Sequence, residues 1–255
     1  MKKTGIVFLK EFRGYFMTPM AYVILTVYLL ISGFFFYVMI SHFSLVSLQM
    51  TQYGYSPEEI SVNEMVFRPL YLNLSLILLM VIPMITMKLM AEERKSGTAE
   101  LLITAPVRWW EIIVGKYLAA CALVGIMTAA TLLYPVIVAL IGDVDPGPVL
   151  TAAIGLFLTG SAFASFGVLA STISENQIIA AVMSFGVLLL LWVVNWATVV
   201  TEGALSTVLD YLSVISHYEE FAKGVLDSRH ILFLISLIVY PLFLSTHVLG
   251  LRHGR

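Results

Sequence analysis

Long apolar stretches recur along this chain with little polar sequence between them, and a chain of that kind has few ways to fold. Six such stretches run over about 19–41, 69–87, 112–141, 149–170, 178–200 and 230–249. Each is close to, or longer than, the ~20 residues that carry a helix across a hydrocarbon layer. Alternating short segments of the barrel type do not occur, and a helix satisfies all its backbone polar groups internally, so the expected spans are helical. At 60% hydrophobic and 12% charged, the chain has too little polar surface to clothe a soluble globule of 255 residues. The expected fold class is an all-α membrane protein, with residues 1–255 forming a single transmembrane domain.

What flanks the spans sets their arrangement. Residues 3–17 place Ile6 or Phe8, Phe12, Tyr15 and Phe16 on one side and Lys3, Lys10 and Arg13 on the other, as expected for a basic helix in the headgroup plane. Thr18-Pro19 then turns the chain into the bilayer. This start does not read as a cleavable signal, because Lys10, Glu11 and Arg13 interrupt its first apolar run. The single cysteine, Cys121, excludes an internal disulfide. Of the 14 Lys and Arg residues, all but Arg68, Lys223 and Arg229 fall on one side of a six-span arrangement. By the positive-inside rule that side is cytoplasmic, with both termini there and the chain in the cell (inner) membrane.

Charge is densest at Glu92-Glu93-Arg94-Lys95, between the second and third spans, where hydrocarbon would cost a few kcal/mol (~3) per charge. Gly97 stops a helix arriving from the second span. Thr98 can cap a new one with Glu100 in its first turn, and Pro106 ends it, which predicts a helix of about two turns over 98–105 with Leu101, Leu102 and Ala105 on one side.

The run Glu92 to Thr98, then Glu100-Leu101-Leu102, Thr104-Ala105-Pro106-Val107, Trp110-Glu111-Ile112 and Gly115-Lys116, resembles the first cytoplasmic loop of ABC export permeases of the polysaccharide and drug-efflux type. In that family this segment is the coupling helix, which docks into a separate ATPase subunit. The resemblance therefore implies an ATPase-facing surface at Glu92, Glu93, Arg94, Lys95, Ser96, Gly97, Thr98, Glu100, Leu101 and Leu102. It also implies a second permease chain, identical or related, and ATP with Mg held by the partner ATPase rather than by this chain. Ser216 to Asp227 looks like the small bacterial permeases that include a gliding-motility-associated subgroup. In the family, the segment before the last span dips back into the outer leaflet. Residues 203–227 thus become an outer-gate candidate, with His217, Tyr218, Glu219 and Phe221.

The residues themselves argue against other chemistry. No G-x-x-x-x-G-K-[ST] cradle occurs, since Lys95-Ser96 is preceded by Arg94, so ATP hydrolysis is expected elsewhere. Ser161 has no histidine in mid-span to activate it, and no enzyme activity is expected. Lys88, Lys116 and His247 read as side chains reaching the interface from span ends, which leaves no mid-membrane charge for an ion-driven transporter. The small residues of the fourth span, Gly155, Gly160, Ser161 and Gly167 among them, read as close-packing positions. His217 and Glu219-Glu220 read as a solvated surface helix rather than metal ligands, with Ser216 and Glu219 as a capping box and Phe221 and Val225 on its apolar face. The loop 42–68 caps the outer mouth, and Ser174 with Gln177 is a capping box for the fifth span. The partners expected are the ATPase, a second permease and membrane lipid, with no nucleic acid. The rival reading is an ATPase-driven anchor or mechanotransmission subunit that moves periplasmic or envelope partners through its outer loops.

Overall fold

A computed structural model of the protein describes residues 2–52, 61–95, 97, 107–200 and 203–252. Among them all regular structure is helical, and six helical stretches are long and apolar enough to cross a membrane. The first helix, α1 (Lys2–Met17), packs across the others, and α2 (Pro19–Gln52) follows directly. A π-helical turn at Asn63–Phe67 leads into α3 (Arg68–Thr86), which continues after Met87 as α4 (Lys88–Lys95). The third span is α5 (Trp109–Thr131) with a short extension, α6 (Leu133–Ala139). Then come α7 (Pro146–Ile173), α8 (Gln177–Val200), the short pair α9 (Ala204–Leu212) and α10 (Val214–Ala222), and α11 (Ser228–Arg252).

The second and fourth spans form the axis of the bundle: their apolar windows are 72% buried, against 17% for the first, fifth and sixth. Helix α7 touches α3, α5, α8, α10 and α11, and its glycines are where those neighbours come closest. A Cβ on Gly155 would stand 2.5 Å from Phe221, one on Gly160 2.6 Å from Val124, and one on Gly167 would overlap Thr86. The fourth-span small residues thus act as the sequence predicts, letting helices pack at backbone distance where lipid offers no hydrophobic drive.

Several boundaries differ from expectation for physical reasons. The first span does not stop at 41: Ser41 to Gln52 continue α2, since the segment is polar enough to leave hydrocarbon yet holds no proline or glycine to break the helix. The outer loop read as 42–68 is therefore helical at both ends, and 53–60 lie outside the described residues. The third span breaks at Leu132, because Pro135 has no N–H to give the Thr131 carbonyl; Leu132 N–H closes a tighter turn on Ala129 O at 3.2 Å. The fifth span is capped by Asn176, whose Oδ1 accepts from Ile178 N–H at 2.9 Å, while Ser174 ends α7 and its Oγ accepts from Asn176 N–H. The cap of α10 is Ser213, accepting from Ser216 N–H at 3.2 Å, so the box read at Ser216 and Glu219 lies inside the helix. Val225 follows the end of α10 and is exposed rather than facing inward with Phe221.

Candidate functional site: a buried ionic junction beside the charged insert

The charged insert begins as an extension of the second span, and three neighbours hold that extension in place. Where α3 gives way to α4 at Met87, four residues past Pro83, the helical hydrogen-bond ladder is interrupted. A hydroxyl from another helix fills the gap. Ser171 Oγ of α7 accepts from Met90 N–H at 2.9 Å and Ala91 N–H at 3.1 Å, and donates to Met87 O at 2.9 Å. Side-chain insertion of this kind fixes a bend that would otherwise leave buried donors unpaired.

Beyond the bend, Glu93 points back into the protein. Its carboxylate takes Lys10 Nζ of α1 at 2.9 Å on one oxygen and Lys116 Nζ of α5 at 2.9 Å on the other. Lys116 also reaches Glu11 of α1 at 2.8 Å and donates to the carbonyl of Leu89. Its side chain is 1% exposed, with Glu11 at 17% and Glu93 at 13%. The interfacial role read for Lys116 is thus corrected: it is a buried ammonium held between two carboxylates from different helices. A charge withdrawn from water in this way persists only when paired and hydrogen-bonded. Burial would lower the Lys10 pKa, but the carboxylates of Glu93 and Glu11 outweigh it and hold the ammonium above the ordinary lysine range.

The same face carries further ties. Tyr15 of α1, buried, donates to Ile85 O near the end of α3 at 3.1 Å, and Lys88 sits 5.0 Å above the Tyr15 ring. Burial pushes the Tyr15 phenol far up, so it stays a donor. Helix α1 crosses α5 at Gly115, where an added Cβ would meet Val7 at 2.8 Å. Phe8 and Phe12, which stack, and Phe16, tilted against Phe12, pack toward the core while Ile6 and Arg13 face out. At the start of α5, the buried Glu111 carboxylate accepts from Arg108 N–H at 2.8 Å.

Of the insert residues read as an ATPase-facing surface, Glu92 is exposed, Arg94 half-buried, and Glu93 committed within the chain. Gly97 has φ +72, the left-handed conformation that ends the helix, with its N–H on Arg94 O at 3.1 Å. Ser96, Thr98, Glu100, Leu101, Leu102 and the helix read at 98–105 lie outside the described residues.

At the opposite end, the outer-gate candidates split. His217, Tyr218 and Phe221 are buried, and Glu219 is half-buried. Tyr218 donates to Tyr71 O at 3.0 Å, and Phe221 packs on Gly155 of α7. His217 Nδ1 lies 3.0 Å from Ser213 O and its ring stacks on Phe233 at 3.8 Å, which corrects the solvated reading of this residue. Burial lowers its pKa. Helices α9 and α10 thus form a folded plug against α3, α7 and α8.

A family model described as ABC-2 family transporter protein matches residues 45–219, more than half of the chain, from within α2 through α10. The chain belongs to the ABC-2 transporter family. A comparison with curated proteins returned no match. The ABC-2 family is a non-catalytic membrane component of ABC transporters, so this permease is not itself an enzyme, and membership implies an ATPase partner subunit. The junction of α1, α4, α5 and α7 is the most heavily charged buried site among the described residues of the ABC-2 chain.

The hydroxyl at the bend provides a direct test of its rigidity. Ser171→Ala leaves the Met90 N–H buried without its acceptor, at a cost of about 1–3 kcal/mol, and leaves the Ala91 N–H with only its bond along α4. The expected result is faster amide exchange at Met90 and Ala91 with all six spans still protected, read by hydrogen-exchange mass spectrometry. Unchanged exchange there would show that Ser171 is not what holds the bend.

Proposed function

We propose that this ABC-2 permease is the membrane-spanning subunit of an ATP-driven exporter, with the face carrying α1 and α4 turned to the cytoplasm of a cell (inner) membrane. A separate cytosolic ATPase, binding ATP and Mg, docks on the segment 92–105. Two permease chains pair; that the second and fourth spans are packed in the interior of one chain, with 72% of their apolar windows buried among the described residues, supports a pathway between chains rather than within one. Glu92 and Glu100 make charge contacts to the ATPase, while Glu93 and the Arg94 guanidinium, whose terminal nitrogens are buried, hold the segment inward. Motion of the segment then passes through Glu93 to α1 and α5 and through Ser171 to α7. On the far side, Tyr218 and Phe221 transmit that motion to the α9–α10 plug, the outer gate. The subgroup resemblance at Ser216 to Asp227 names no cargo, and the family match lends it no support.

The observation that carries this reading is the buried Glu11–Lys116–Glu93 chain of charges, closed at the surface by Lys10, which ties the insert to two other helices at a cost that a plain surface loop would have no reason to bear. Gly97→Pro and Glu93→Lys are expected to abolish co-purification with, or stimulation of, the ATPase while membrane insertion stays intact. A Thr98→Cys chain labelled only from outside intact cells, or ATPase coupling untouched by both variants, would overturn the proposal.

A further inference from the structure

Two recesses on the α1 face of the bundle meet at one residue, Trp110. The first, about 500 Å³, lies between the start of α5 and the last turns of α11 and presents Arg108, His247, Phe243 and Leu251. Arg108 and His247 are exposed, and Arg108 forms no ion pair among the described residues. Among the described residues no carboxylate lines this recess; that of Glu111 is turned onto the Arg108 backbone N–H. The second recess, about 700 Å³, continues from Trp110 down α5 along Val114, Leu118, Ala122 and Gly125, closed by Phe8 of α1 and Phe157 of α7. Its lining is mainly apolar, with Thr4, Cys121 and the Trp110 indole as its polar groups, and no charged side chain among the described residues lines it.

The dimensions and charge of this pair suit one kind of molecule. From Trp110 to Gly125 is a rise of 15 residues of helix, about 22 Å, close to the length of an extended membrane acyl chain and about three quarters of the ~30 Å hydrocarbon layer. The side chains shrink along the way, from Trp and Leu to Ala and Gly, so the slot stays open at depth. At its mouth stand a guanidinium, charged at all accessible pH, and an imidazole, both beside the interfacial pair Trp109-Trp110 where a headgroup lies. We propose that this groove is a binding site for an anionic phospholipid, with its phosphate at Arg108 and His247 and one acyl chain along Trp110, Leu118 and Gly125. The site is separate from the ionic junction and does not depend on the transporter's cargo or ATPase.

The test uses the full chain in nanodiscs of phosphatidylcholine, with Trp192→Phe and Trp196→Phe so that Trp109 and Trp110 alone report. Phosphatidylglycerol brominated on its acyl chains should quench their fluorescence as if enriched about fivefold over brominated phosphatidylcholine at equal mole fraction, the preference one basic residue at a membrane surface provides. Arg108→Gln with His247→Gln should equalise the two lipids, and the fold should survive because the local cap runs through the Arg108 backbone. Ala122→Phe, which fills the slot and leaves Arg108 and His247 in place, should weaken quenching by either lipid. Equal quenching in the parent chain would mean ordinary boundary lipid only. No quenching by either lipid, with Cys121 cross-linking to Cys121 of another copy through an apolar bismaleimide, would make the groove a contact between chains. Either result overturns the proposal.

Discussion

Lys116→Met should lower the unfolding free energy of the detergent-solubilised chain by about 3 kcal/mol or more, a larger loss than removing a surface charge produces. The reason lies in what remains. Without the ammonium, Glu11 and Glu93 face each other inside the protein with their side chains only 17% and 13% exposed, and Lys10, itself 64% exposed, is left to offset both. The Leu89 carbonyl loses its donor as well. Adding Glu11→Gln and Glu93→Gln to Lys116→Met removes the stranded charges and should return most of the stability. ATPase stimulation should not return, because the link from α4 to α1 and α5 is still missing. A thermal-unfolding midpoint unmoved by Lys116→Met alone would show that the junction stays hydrated in the membrane and carries no tension.

Gly167→Leu is the second large effect. The Cβ of any residue there lands on the Thr86 side chain, and a leucine adds three further carbons in a place where α3 and α7 touch without a gap. Overpacking of this kind costs about 1–3 kcal/mol and forces side chains off their rotamers and backbone out of place. Here the backbone that moves is the last turn of α3, one residue before the bend that Ser171 holds. The expected outcome is a chain that inserts normally but is destabilised and no longer stimulates its ATPase. Thr86→Gly in the same chain should restore both by making room. If Gly167→Leu alone leaves melting and coupling intact, the helices separate freely at this level and the bend does not transmit force.

The spans were legible because burial in lipid demands an unbroken apolar run, and that demand is written locally. The break at Gly97 was legible for the same kind of reason: only a residue without a Cβ takes φ +72 at little cost, and it follows a run of charge. The end of α2 was not, since leaving hydrocarbon and ending a helix are different events and residues 42–52 do only the first. The junction was hidden more thoroughly. Lys116 and Glu11 are separated by 105 positions, and each alone looks like an interfacial side chain. Nothing in a sequence states that two helices will bring them within 3 Å. Ser171 was equally silent, since a serine near a helix end reads as a cap, and its partners lie 80 and 81 positions away. His217 read as wet because its neighbours Glu219 and Glu220 are charged, whereas the helix turns it inward against Phe233.

The length of α2 settles one point about the molecule's profile. Its 34 residues run about 51 Å, while the oily slab is ~30 Å thick and tilts rarely pass ~40° from the normal. Even leaning that far, the rod still measures close to 39 Å along the normal. Its last turns, with Leu45 and Leu48 uncovered, therefore stand at headgroup height or above it on the side away from α1. The first span therefore overruns the hydrocarbon by about 9 Å or more, a length of helix that the lipid tails do not cover.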